Sequence, residues 1–172
     1  MTIASARLMA TLTARQTGPT DFNAEYTPTL RKVIDLTDGT TANKADLLFA
    51  DQRTVASASN DDLDLAGVLA DAFGTTITAA ELVAILLINE PRSGTANTTD
   101  LTIGGGSNPV SGFLGGTTPT IGPIKPGGVF LLGAGDAAGI GSVAAGTGDI
   151  LRIANSSGAS ATYQIAILAR SA

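Results

Sequence analysis

The sequence predicts an all-β protein: a single β-sandwich, jelly-roll-like in its winding, with an extended N-terminal arm. Three observations predict it. Short runs of alternating apolar and polar residues recur along the chain at intervals of roughly 8 to 20 residues. Turn formers are abundant, with 21 Gly and 7 Pro among 172 residues. No long amphipathic helical period interrupts the pattern. A closed β-barrel is the alternative architecture.

The elements follow in chain order. Arg7 to Thr13 alternates loosely, with Leu8, Ala10 and Leu12 opposed to Met9, Thr11 and Thr13, and Leu30 to Leu36 reads as a second strand. Thr17-Gly18-Pro19-Thr20 and Tyr26-Thr27-Pro28-Thr29 break regular structure between them, because proline lacks a backbone donor and fixes φ. Residues 1–40 are therefore expected to form an extended arm and residues 41–172 the sandwich. Within the sandwich, strands are expected at Ala45 to Phe49, Asp61 to Ala66, Asp100 to Ile103, Val129 to Leu132 and Ile150 to Asn155. The last strand has the clearest period: Tyr163, Ile165 and Ile167 alternate with Gln164, Ala166 and Leu168, ending near Arg170. Asp38-Gly39, Gly104-Gly105-Gly106, Lys125-Pro126-Gly127-Gly128 and Ser156-Ser157-Gly158 supply turns.

One segment admits two readings. Thr78-Ala79-Ala80-Glu81 fits a helix capping box that Leu82 to Leu87 could continue. The β-branched Ile77, Val83, Ile85 and Ile88, with turn signals at Phe73-Gly74-Thr75 and Glu90-Pro91, favour a central strand over Ile77 to Asn89. A short helical turn at Ala79 to Leu82 is compatible with that strand.

Composition excludes several chemistries. The chain has no His and no Cys, which removes Ser-His-Asp and Cys-His relays as well as imidazole or thiolate metal sites. Disulfides cannot support the fold. Charged residues make up 15% of the chain and the net charge is −5, so no whole-protein footprint for nucleic acid exists. The charge is uneven: residues 1–32 carry a net +2, through Arg7, Arg15, Arg31 and Lys32 against Asp21 and Glu25, and the other 140 residues carry −7. A cationic arm ahead of an acidic body suits docking on an acidic partner surface. The longest apolar run, Leu82 to Ile88, is too short to span a bilayer, and Arg7 interrupts the apolar residues of Met1 to Thr13, unlike a secretory signal. Synthesis and retention in a cytoplasm are expected.

Three patterns could carry chemistry. Val129-Phe130-Leu131-Leu132 runs into Gly133-Ala134-Gly135-Asp136-Ala137-Ala138-Gly139, a strand followed by spaced glycines. A dinucleotide site needs those glycines at the mouth of a helix, with an acidic ribose ligand after the next strand. Here two strands and no crossover helix follow, and the next strand ends in Asn155, so a loop between strands is the better reading. Asp61, Asp62 and Asp64 form the densest carboxylate group, but without the Gly and closing Glu of a calcium loop. Alternation puts Asp62 and Asp64 outward and Leu63 and Leu65 inward, as on a solvated strand. Lys32, Lys44 and Lys125 lie outside apolar runs that would make an amine nucleophilic. The chain is not expected to be an enzyme, and no catalytic residue, cofactor site or metal site is assigned.

Three stretches carry a resemblance. Asp38-Gly39-Thr40-Thr41-Ala42-Asn43-Lys44-Ala45-Asp46 is followed by Asp51-Gln52-Arg53-Thr54 and Asp61-Asp62-Leu63-Asp64-Leu65-Ala66-Gly67. Farther on come Asp71-Ala72-Phe73-Gly74, Pro126-Gly127-Gly128, and Ala144-Ala145-Gly146-Thr147-Gly148-Asp149-Ile150-Leu151-Arg152-Ile153-Ala154-Asn155 before the Tyr163 strand. Across roughly residues 30–170 the chain resembles small structural proteins of tailed bacteriophages and prophages. The resemblance implies a virion component, and within that class a capsid decoration (cement) protein on the outer head surface that stabilises the shell. It implies the major capsid protein and further copies of itself, as a dimer or trimer, as partners, with no nucleic acid and no membrane. The arm would supply the lattice contact by strand addition and apolar burial. The alternative is a head-fibre, tail-fibre or spike module that binds a host receptor or glycan; 4% aromatic residues give it little to build a sugar platform.

Overall fold

A computed structural model describes residues 3–18, 25–114, 116 and 118–171. Among them every regular element is a strand, so the fold is all-β, and the two largest sheets pack face to face over one apolar core.

The arm is a β-hairpin rather than a single extended segment. β1 (Ala6–Thr13) pairs antiparallel with β4 (Thr29–Leu36), from Ala6 opposite Leu36 to Thr13 opposite Thr29. The same register carries on into β2 (Gln16–Thr17) and β3 (Glu25–Tyr26), where Gln16 faces Tyr26 and Thr17 faces Glu25. The interruption has a chemical cause. Pro28 accepts the Ala14 N–H at 3.2 Å but has no N–H to return, so the ladder skips one bond without changing register. Pro19 and Thr20 of the first expected break lie outside the described residues.

The sandwich has four long strands in each layer. One sheet has the order β10 (Val129–Gly133), β7 (Glu81–Ile88), β13 (Ala161–Arg170), β5 (Leu47–Val55), and β11 (Gly141–Ser142) also pairs with β7. The other has the order β6 (Asn60–Asp64), β12 (Ile150–Asn155), β8 (Leu101–Gly104), β9 (Thr120–Ile124). The pairing is nested: β5 with β13, β6 with β12, β7 with β10 and β8 with β9. A long hairpin whose limbs fall alternately into two layers pairs in this way. Leu63, Leu101, Ile103, Leu151 and Ile153 of one layer meet Ile85, Leu87, Ile165 and Ile167 of the other.

β7 is a central strand, flanked by β10 and β13, and the helical turn at Ala79 to Leu82 does not form. It starts at Glu81 instead of Ile77 because the preceding residues pair elsewhere: Ile77 N–H donates to Leu69 O at 2.8 Å and Ala79 N–H to Leu65 O at 2.9 Å. β5 runs well past the expected Phe49, to Val55, because Phe49 and Val55 turn inward while the polar residues between them sit at the rim. β9 carries little apolar period around Gly122-Pro123 and was not expected; it lies at a sheet edge, where a proline costs no ladder bond on its outer side.

The glycine loop after β10 folds back under β7. Ile140 N–H donates to Leu82 O at 2.7 Å, and Gly139, at φ +58°, leaves no room for a Cβ beside the Leu82 carbonyl. Gly139→Ala is expected to cost at least about 2 kcal/mol, from left-handed backbone strain plus the overlap. Urea unfolding checks this, and a loss below about 0.5 kcal/mol would contradict it.

Candidate interaction surface

In an antiparallel ribbon, directly paired residues share a face. One face of the hairpin therefore carries Ala6 with Leu36, Leu8 with Ile34, Ala10 with Lys32, Leu12 with Leu30 and Gln16 with Tyr26. The other carries Arg7 with Asp35, Met9 with Val33 and Thr11 with Arg31. The first face is apolar along most of its length, and only its inner half is covered.

The root of the ribbon lies across the outside of the β10-β7-β13-β5 sheet. Leu36 is buried with Val83 and Ala45, and Ala6, Ile34 and Leu168 pack around them. Leu8 occupies the space above Gly133, where any Cβ would collide with it. From Met9 onward the ribbon leaves the sheet at its β10 edge: β1 beyond Leu8, all of β2 and β3, and Thr29 to Lys32 are exposed. The nine residues from Met9 to Thr17, at the rise of an extended chain, span about 30 Å. Leu12, Leu30 and Tyr26 on this overhang are 62%, 66% and 66% exposed. Arg7 pairs with Asp35 at 2.5 Å and Arg15 with Glu25 at 2.8 Å. Among the described residues Arg31 and Lys32 take part in no ion pair, so the overhang is both apolar and cationic.

The two outer faces of the sandwich differ. On the second sheet Asn60, Asp62, Asp64, Arg152 and Thr102 point outward, with Arg152 bonded to Asp62 at 2.6 and 2.7 Å. The first sheet presents three cross-strand rows. Leu48, Leu168, Ala84 and Gly133 form the row under the hairpin root. Ala50, Ala166, Leu86 and Leu131 form the next, and Gln52, Gln164, Ile88 and Val129 the third. The middle row is apolar throughout, half-buried at Leu86, Leu131 and Ala166 and exposed at Ala50. At the β5 end it opens into a cleft of about 270 Å³ bounded by Ile3, Leu48 and Phe73. Phe73 is 80% exposed, held out by a turn in which the Phe73 and Thr75 N–H groups donate to the Asp71 carboxylate.

The motifs singled out from sequence fall elsewhere. Asp62 and Asp64 point outward and Leu63 and Leu65 inward, as alternation predicts. Arg152 holds the Asp62 carboxyl below the usual carboxylate range. Asp61 turns into the rim of the sandwich, accepting bonds from Arg53 at 2.7 and 2.8 Å and from the Tyr163 hydroxyl at 2.8 Å. Burial pushes the Asp61 carboxyl up, but the Arg53 and Tyr163 bonds together outweigh it and leave it lowered. Burial, then the bond to Asp61, pushes the Tyr163 phenol far up. Asn155 bonds the Val55, Ala56 and Ala159 carbonyls, a turn anchor rather than a ribose ligand. Sequence reasoning also missed Arg170, which is fully buried and donates to Glu81 and to the Lys44, Asp136 and Ala137 carbonyls at 2.8 to 2.9 Å. The terminal strand's period identified its position but nothing in it marked a buried charge. Among the described residues no cluster of three or more potential metal ligands forms, and no helix is long and apolar enough to cross a membrane.

No protein-family model, curated protein or solved structure matches this chain.

Proposed function

We propose that the chain is a non-enzymatic assembly protein, and specifically a bacteriophage virion component of the capsid decoration (cement) type. In this reading it is made in the host cytoplasm, sits on the outer head surface, stabilises the shell, and has the major capsid protein and further copies of itself as partners. The observation that carries the reading is the overhanging hairpin, an apolar ribbon about 30 Å long whose two edges are unpaired and one face uncovered among the described residues. A two-stranded ribbon is marginal on its own in water, so its stable form is one laid against another surface. Repetition on a symmetric lattice turns a weak contact per copy into a durable one. The acidic body suits an outward-facing position rather than a DNA-lined interior. The resemblance to phage structural proteins supplies the identity of the shell.

Cryo-EM of purified virions from the source phage tests it. Hundreds of copies in icosahedral order on the outer head are expected. A handful of copies at a vertex or tail tip would instead favour a head-fibre, tail-fibre or spike module binding a host receptor or glycan, for which Phe73 and Tyr26 are exposed aromatic contacts among the described residues.

A further inference from the structure

We infer that the overhanging half of the hairpin docks across the outer sheet face of a second copy of this chain, filling the row that runs through Ala50 and Ala166. The inference rests on the assembly reading but not on the identity of the shell, and it names the partner of the ribbon.

The fold already contains one instance of the contact. The inner pair of the ribbon, Leu8 and Ile34, lies over a row whose small members are Gly133 and Ala84. Four residues farther out the ribbon repeats the motif as Leu12 and Leu30, and one row over the sheet repeats the small residues as Ala50 and Ala166. Small residues let the ribbon approach closely, and the larger neighbours on either side wall the trough. The overhang cannot reach the Ala50 end of this row in its own chain. Its root is anchored over Val83 and Gly133, and it leaves from the β10 edge, whereas Ala50 lies on the opposite edge strand, β5.

Charge selects this arrangement over ribbon against ribbon. The first 32 residues carry +2 and the remainder −7, so two arms repel each other while an arm and a body attract. Lys32, on the same face of the ribbon as Leu12 and Leu30, is the cation left to meet the acidic body of the second copy. Because one chain carries both donor ribbon and acceptor trough, the exchange makes a two-fold pair when reciprocal, and a ring or an open filament when it runs head to tail.

The absence of cysteine makes the test clean. Full-length Leu12→Cys and Ala50→Cys are prepared separately and mixed under a mild oxidant. A disulfide joining one chain of each kind is expected, with little cross-linking of Leu12→Cys to itself. Sedimentation of Leu12→Asp/Leu30→Asp should show self-association weakened at least about tenfold, with the β signal in circular dichroism unchanged, as both positions are exposed. A wild-type chain that stays monomeric at its highest soluble concentration, or Leu12→Cys chains that link mainly to each other, would overturn the inference. Virion heads that lack a chain which nonetheless self-associates through these residues would overturn the decoration reading while leaving this one supported.

Discussion

Arg170→Met is expected to lower the stability of the sandwich by about 3–5 kcal/mol, the largest single effect of any substitution considered. The guanidinium is fully buried near the end of β13, and its loss strips partners from the Glu81 carboxylate and from the Lys44, Asp136 and Ala137 carbonyls together. Methionine fills much of the volume, so the loss reads the polar network rather than a cavity. Lysine should recover less than half of it, since one ammonium cannot reproduce a planar fork reaching two loops and the start of β7. A fall in the urea midpoint at constant m, with a melting temperature lower on the order of 10 °C, checks this. A loss under about 1 kcal/mol would show that the loops are held by other contacts. The consequence extends to function. Asp136 and Ala137 follow Gly135, which accepts the Asn43 N–H at 2.6 Å and lies against Ile34 of the hairpin root. Arg170 thus helps set the direction in which the arm leaves the body, and its loss should increase hydrogen exchange at the hairpin root.

Asp61→Ala is expected to cost about 2–4 kcal/mol, because it leaves the buried Tyr163 hydroxyl unpaired and removes the two shorter bonds of Arg53, which keeps only its 3.3 Å bond to Asp51. Tyr163 and Arg53 are cross-strand partners on β13 and β5, while Asp61 comes from β6 in the opposite layer, so the trio clasps the two sheets at one end. In a double-mutant cycle with Tyr163→Phe the two losses should fall short of additive, since the hydroxyl and the carboxylate share one interaction. The pH dependence has a definite sign. Asp61 is held below its unfolded value, so its contribution is present in full above the ordinary carboxylate range of about 4 and declines as pH falls through the lower folded value. Asp62, paired with Arg152, shifts in the same direction and contributes in the same window. Wild-type stability should therefore decline below pH of about 4 more steeply than that of Asp61→Ala. Parallel decline in the two proteins would show that the clasp does not couple to protonation.

Much of the sandwich was legible because it rests on local pattern. β12 and β13 alternate so cleanly that the burial of Leu151, Ile153, Tyr163, Ile165 and Ile167 follows from the two-residue period. The unbroken apolar run of β7 signalled a central strand, apolar on both faces, and the structure places it between β10 and β13. The outward placement of Asp62 and Asp64 was equally a matter of parity.

What the sequence by itself determined about this protein is its all-β class, the faces of its strongest strands, the turns between them and the split between a cationic N-terminal segment and an acidic body. The tertiary structure decided everything that depends on which strand meets which. Only pairing at long separation turns two separate apolar runs, Arg7 to Thr13 and Leu30 to Leu36, into one ribbon with one apolar face. Only the layering of the sheets brings Asp61 to Arg53 and Tyr163, or gathers two loops and the start of β7 around Arg170. The physical reason is that periodicity encodes the side of a strand on which a residue lies, whereas the partner across the ladder or across the core is set by the burial of the whole chain at once.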